Sequence, residues 1–233
     1  MMEIQERNTG KGTDVEKTRQ VMLFNQALID QRYIYRGVKR LFDIVASLVG
    51  LILLSPLFGV IAIWIKVDDP EGGVFYSQTR LGLKQRAFKM YKFRSMCTDA
   101  DQRLKYLLQH NEVEGAMFKM KEDPRITKVG KFIRKYSIDE LPQLWNVLIG
   151  DMTLVGPRPP LEREIKEYTD YDWQRLMVKP GCTGLWQVSG RNSIGFHEMV
   201  ELDLEYIKNS SLVYDLGILF RTVKIMIIPN DAY

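Results

Sequence analysis

Residues 44–65 read IVASLVGLILLSPLFGVIAIWI, 22 positions without a charge between Asp43 and Lys66. As a straight helix at about 1.5 Å per residue the stretch would be roughly 33 Å long, enough for a bilayer core of about 30 Å. It is apolar all round and longer than one core helix of a soluble domain needs. It begins too far into the chain for a signal peptide, and no small-residue cleavage motif follows it. Ser55-Pro56 sits near its centre. Proline removes a backbone donor and clashes with the carbonyl four residues back, that of Ile52, so a bend is expected there. The Ser55 hydroxyl can re-satisfy a freed carbonyl at a depth that water does not reach. Arg32, Arg36, Lys39 and Arg40 precede the stretch, and Lys66, Arg80 and Lys84 follow it. Positive charge on both flanks gives no inside–outside asymmetry. A kinked span and a helix–break–helix that enters and leaves by one face both fit.

The averages hide this feature. The chain has 233 residues, 33 Lys plus Arg against 29 Asp plus Glu, and a formal charge of +4. Its mean hydropathy is −0.19, that of a soluble protein. The modest charge does not support a polyanion binder, and the basic residues form no dense patch for nucleic acid. Cys97 and Cys182 are isolated, which suits a reducing, cytosol-facing compartment. His110 and His197 lack metal-ligand spacing, which argues against zinc and against a histidine-based triad.

Working outward, residues 1–34 form an N-terminal extension whose first 20 positions are polar and expected to be mobile. Residues 35–66 carry a basic collar and the apolar stretch, and 67–233 form the remaining domain. Within it, 74–79 and 88–95 are predicted strands joined by RLGLKQR. Helices are expected near 99–111, 126–136, 139–149, 162–178 and 196–209, separated by the loops GDMTLVGPRPP and KPGCTGLWQVSGRN. From 212 to 228, Leu212, Leu216, Leu219, Phe220, Val223 and Ile227 share one face, opposite Arg221 and Lys224, as in an interfacial amphipathic helix. The fold class is α+β, mostly helical, with a small β-hairpin.

The densest chemical signal is RKYSIDELPQLWNVLIGDMTLVGPRPP, residues 134–160. Ser137 with Glu140 fits a capping box, or Asp139 is itself the N-cap with Pro142 in the first turn. Either register puts the carboxylates where a helix start favours negative charge and keeps Asp139 ionised near neutral pH. An ionised carboxylate can attack phosphorus and can help hold Mg²⁺. The same pair also serves as ordinary caps, and spacing alone does not decide. Lys92 and Arg94 lie two apart on a predicted strand, hence on one face. With Arg134, Arg158 and Arg191 they are the candidate phosphate-binding residues, since arginine forks suit phosphate oxygens. Trp186 could stack on a base, although a partly buried tryptophan is the commoner outcome.

KRLFDIVASLVGLILLSPLF (39–58), VFYSQTRLG (74–82), FKMYKFRSM (88–96), DPRITKVGKFIRKYSIDELPQLWNVLIGDMTLVGPRP (123–159), PGCTGLWQVSGRN (180–192) and ILFRTVKIMI (218–227) occur in one order. Together they resemble the bacterial sugar transferase family, the small monotopic polyprenyl-phosphate glycosyl-1-phosphate transferases, from about Tyr35 to the C terminus. Cys182 is a minor departure, where a hydrophobic residue is commoner. With about 35 mostly polar residues ahead of the part that carries the resemblance, the chain looks like the family's short form.

The resemblance implies that Ser55 and Pro56 break a re-entrant membrane helix below a cytosolic, membrane-associated catalytic domain with interfacial helices. It implies Asp139 as nucleophile and Glu140 as its partner, with Mg²⁺ held by Asp139 and Glu140. The implied reaction transfers a sugar 1-phosphate from a UDP-sugar to undecaprenyl phosphate, releasing UMP, through a phosphosugar–aspartate intermediate. It would be the first membrane step of exopolysaccharide or capsule synthesis, at the cytoplasmic face of a bacterial cell membrane. The WQVSGRN form points to a hexose, galactose or glucose. Membrane lipid, other glycan-assembly enzymes or a second copy of the chain are the further partners expected, and nucleic acid is not. The competing expectation is a non-enzymatic membrane-anchored scaffold that binds anionic lipid, which would bind lipid salt-sensitively without turning over a UDP-sugar.

Overall fold

The computed structural model describes residues 24–228 apart from 108, 110–117, 119, 121 and 191–193. The mobile stretch expected at 1–20 and the candidate Arg191 therefore lie outside the described residues. The apolar stretch falls inside one helix, α2 (Tyr33–Asp68), which follows the short α1 (Gln26–Asp30). α2 continues through Pro56 instead of splitting in two. Pro56 cannot donate to the Ile52 carbonyl, and the Ser55 hydroxyl donates to it instead at 2.8 Å. At the expected break the helix loses a single backbone bond, made good by the neighbouring hydroxyl.

α2 touches the rest of the molecule on both sides of Pro56. On the N-terminal side Asp43 and Ser47 are buried, and the Asp43 carboxylate accepts from Thr153 Oγ1 at 2.6 Å and from the Leu154 N–H at 3.1 Å. On the C-terminal side Ile61 and Ile65 join Phe93, Val129 and Ile133 in a small core. Between these anchors Ile52 and Leu53 are 63% and 72% exposed. The helix is long and apolar enough to cross a membrane, and little of its apolar window is buried. Its basic collar points inward more than its spacing suggests. Arg40 donates to the Val147 and Leu148 carbonyls at 2.6 and 2.8 Å, and Lys39 pairs with Asp215 at 2.8 Å.

The predicted hairpin is present as β1 (Phe75–Leu81) and β2 (Ala87–Phe93), antiparallel with Phe75 opposite Phe93. Next come α3 (Ala100–Leu107), α4 (Lys128–Lys135) and α5 (Gln143–Ile149). The two Gly-rich loops hold a second sheet that their composition concealed: β3 (Thr153–Val155) pairs in parallel with β4 (Gly181–Thr183). A Cβ on Gly181 would lie 2.1 Å from the Gly156 nitrogen, so glycine is what allows these loops to meet. The continuous helix expected over 162–178 is instead three short pieces: a 3₁₀ turn at Glu164–Glu167, α6 (Asp170–Trp173) and a 3₁₀ turn at Gln174–Met177. The cause is a capping box between Thr169 and Asp172, which restarts the helix mid-way. α7 (Leu185–Ser189), α8 (Phe196–Asn209) and α9 (Leu212–Ile227) follow.

The larger core gathers Phe88 and Met90 of β2, Val147 of α5, Leu154 and Val155 of β3, and the inner face of α8 around Met199 and Leu204. α9 contributes Ile218 and turns Leu212, Leu216, Phe220, Val223 and Ile227 outward, as its amphipathic pattern predicts, while Leu219 packs inward and Val213 is exposed as well. Trp186 is partly buried against this core.

Candidate active site

α4 begins at Thr127, whose Oγ1 accepts from the Gly130 N–H, and it ends in Ser137, held at φ 55°. Ser137 takes the left-handed position that closes a helix, and it opens the turn that follows through its carbonyl, which accepts from the Glu140 N–H at 3.2 Å, and not through its side chain. The capping box expected between Ser137 and Glu140 is accordingly absent. Nor is Asp139 an N-cap: Ile138–Glu140 form a 3₁₀ turn, and α5 starts after Pro142. Ile138 packs against the small core and fixes this turn between α4 and β2.

The turn presents two carboxylates in unlike settings. Asp139 is buried, 7% exposed, whereas Glu140 is half-buried and its Oε1 accepts from Lys92 Nζ at 2.6 Å. Burial raises the Asp139 carboxyl to about 6; Lys92 and Arg134 pull it down and Glu140 adds to the rise. Desolvation, not a helix start, therefore governs Asp139, and at neutral pH it remains mostly ionised.

Lys92 reaches Glu140 because β2 is clipped to α5. Asn146 accepts from the Tyr91 N–H at 3.0 Å and donates to the Lys89 carbonyl at 2.7 Å. Arg134 lies in the last turn of α4, partly exposed, with its charge acting on Asp139. Arg158 in the GPRP loop forms a two-pronged pair with Glu164 at 2.9 and 3.2 Å. Arg94 meets other partners than Lys92 does. It lies just past the end of β2, buried, and donates to the Asp69 carbonyl at 2.8 Å while lying over Gly72. There it fastens the DDPEGG turn at the foot of α2 and leaves the phosphate-binding set.

Two residues of this region carried no signal in the sequence. Asn146 looks like any helix-surface amide. Arg80, 8% exposed on β1, sends Nη1 to the Pro159 carbonyl at 3.0 Å and Nη2 to Gln78 Oε1 at 2.7 Å. Burial and the neighbouring Arg158 lower its guanidinium to about 9 against the opposing pull of Glu164 and Glu140. Its alternation with Leu81 would have placed one of the two outward, yet both are buried.

Among the described residues no three His, Cys, Asp or Glu side chains gather to hold a metal. Mg²⁺ commonly takes one or two carboxylates and completes its shell with water and substrate phosphates. The adjacent Asp139 and Glu140 fit that usage, the first because burial leaves its charge poorly solvated.

The profile of the bacterial sugar transferase family matches residues 34–229, from the start of α2 past the end of α9. The chain belongs to the bacterial sugar transferase family. An undecaprenyl-phosphate galactose phosphotransferase of Salmonella typhimurium is 48% identical over 202 residues, 85% of this chain and 42% of that protein. Galactosyl transferase CpsE of Streptococcus agalactiae is 47% identical over 204 residues, 86% and 44% respectively. The chain spans about half the length of these two relatives. The exopolysaccharide production protein ExoY of Rhizobium meliloti, 42% identical over 199 residues, is matched over 88% of its length. The family segment contains α2, the hairpin with Lys92, the Asp139–Glu140 turn and the Arg158 loop.

Proposed function

We propose that the chain transfers a hexose 1-phosphate, galactose 1-phosphate foremost, from a UDP-sugar to undecaprenyl phosphate and releases UMP. The observation that carries this reading is the buried Asp139 carboxylate set beside the Lys92–Glu140 pair, within a family segment whose relatives are named for galactose and undecaprenyl phosphate. A carboxylate oxygen of Asp139 attacks the phosphorus that bears the sugar, and the bond from that phosphorus to the UMP oxygen breaks, UMP leaving with the electron pair. An oxygen of undecaprenyl phosphate then attacks the same phosphorus and displaces Asp139, giving the sugar-diphosphate lipid and restoring the carboxylate. Burial makes Asp139 a poorly solvated nucleophile. Lys92 neutralises Glu140 and, with Arg134 and Arg158, offsets the charge of the incoming phosphates. Asp139 and Glu140 would hold Mg²⁺, which supplies charge neutralisation on phosphate oxygens.

Site and membrane helix are joined in a way that supports a same-face topology. α2 is anchored at Asp43 to β3 and at Ile65 beside Val129 of α4, about 33 Å apart along a straight helix. A transbilayer crossing would carry one of these domain contacts to the far side of the membrane. The reading is therefore a helix that enters and leaves by the cytoplasmic face, its exposed Ile52–Pro56 region deepest in lipid, with the outward face of α9 at the interface.

UMP release from UDP-galactose plus undecaprenyl phosphate, with Mg²⁺, tests the activity. Asp139→Asn is expected to abolish it. Undiminished turnover in that variant would remove Asp139 from the nucleophile role.

A further inference from the structure

Residues 158–161 are gripped at every position by groups that lie outside the carboxylate turn. Glu164 takes both terminal nitrogens of Arg158 and also accepts from the Leu161 N–H at 2.9 Å. Arg175 donates to the Arg158 carbonyl at 3.2 Å, Arg80 to the Pro159 carbonyl at 3.0 Å, and the Leu81 N–H to the Pro160 carbonyl at 3.1 Å. Arg175 is itself held by a buried ion pair to Asp203 of α8 and donates to the Tyr168 hydroxyl at 2.8 Å. Pro159 and Pro160 stiffen the segment between these grips.

Glu164, Arg80 and Arg175 are 2%, 8% and 1% exposed. Buried charge is a costly way to tie down a loop, because desolvation can exceed the Coulombic gain. The cost is visible: among the described residues the Nε atoms of Arg80 and Arg175 have no hydrogen-bond partner. Loop carbonyls could be met by backbone N–H groups or water without it. The arrangement gains meaning from what it holds, since the Arg158 side chain, 21% exposed, is the outlet of an otherwise buried set. A guanidinium has five donors. With two nitrogens turned to Glu164, its plane is fixed and the remaining donors keep one direction.

We propose that Glu164, Arg80 and Arg175 form a positioning frame that aims the Arg158 guanidinium at the phosphates of the nucleoside diphosphate sugar. None of the three touches substrate; each acts through the Arg158 side chain or the backbone of residues 158 and 159. The inference rests on the reading of the chain as a sugar-phosphate transferase, and its test separates the two.

The test is a double-mutant cycle in the full chain, combining Glu164→Gln with Arg158→Ala, read by initial rates of UMP release. Glu164→Gln alone is expected to lower kcat/KM about 10- to 100-fold, the scale of a small misplacement of a charged group. In the Arg158→Ala background it is expected to add no more than about twofold, because its route of action is gone. Equal losses in both backgrounds would overturn the frame and leave Glu164 a structural residue. Arg80→Lys, which keeps the charge but not the fork, runs through the same cycle should Glu164→Gln fail to fold. Hydrogen exchange at the Arg158 Nε–H, followed by NMR, needs no turnover: it should accelerate in Glu164→Gln and in Arg80→Lys. Unchanged exchange in both overturns the frame. Accelerated exchange in both variants, with a parent chain that itself releases no UMP, sinks the transferase reading and leaves the hold on Arg158 standing.

Discussion

Asp43→Ala is expected to loosen the junction between α2 and the domain, and its cost follows from two hydrogen bonds. Asp43 is 3% exposed and receives the Thr153 hydroxyl at 2.6 Å and the Leu154 N–H at 3.1 Å, both on the first half of β3. Truncation leaves two buried donors unpaired, at about 1–3 kcal/mol each, or about 4 kcal/mol together at mid-range. For a domain near 200 residues, about 2–4 °C is lost per kcal/mol, so Tm should fall by about 8–16 °C. Asp43→Asn keeps an acceptor for the Leu154 N–H and an amide that can turn to the Thr153 hydroxyl, so its loss should be less than half as large. The assay is thermal unfolding of the detergent-solubilised chain followed by tryptophan fluorescence. β3 runs directly into Gly156-Pro157-Arg158, so UMP release should fall along with Tm. An Asp43→Ala protein melting within about 2 °C of the parent would refute the view that this carboxylate fastens the helix to the catalytic loop.

Lys92→Met should change stability by less than about 1 kcal/mol, because the Lys92–Glu140 pair is partly exposed. It should lower the rate of UMP release by about 100-fold or more; a near-parental rate would show that Lys92 only pairs with Glu140. Burial opposes ionisation of Glu164, but Arg158, Arg80 and the Leu161 N–H outweigh it and hold the carboxyl at about 2 instead of 4.5. Its contribution, about 3 kcal/mol, is complete above pH 4.5 and is lost as pH falls towards 2, so Glu164→Gln should flatten the acid limb of a Tm-against-pH profile. For topology, cysteines at Leu41 and Val67, in a background without Cys97 and Cys182, should both be shielded from an external impermeant label in intact cells. Labelling at one end only would establish a span.

What was legible in the sequence was what repeats along it. α8 begins at Phe196 and ends at Asn209 as its pattern predicts, since seven of its side chains are buried on one amphipathic face. The hairpin and α9 were legible for the same reason, and Ser55 met Ile52 because both ends of that bond lie in one turn. The failures came where a residue's role depends on a partner far along the chain or at no regular spacing. β3 and β4 have three residues each, all but one fully buried, so neither offers an alternation to see. Arg158 and Glu164 are six apart, on different faces of a helix and about 20 Å apart along a strand, and only the turn at 158–164 makes them a pair. Arg94 is another such case, because its guanidinium is taken by Asp69 at the foot of α2, a partner distant in sequence. The site divides along the same line. Asp139 and Glu140 stand out as adjacent carboxylates in a motif, whereas Asn146, Arg80, Glu164 and Arg175 are visible only once the chain has closed on itself. If the frame around Arg158 aims that side chain, then the part of the site that sets its geometry is the part that no local pattern could have revealed.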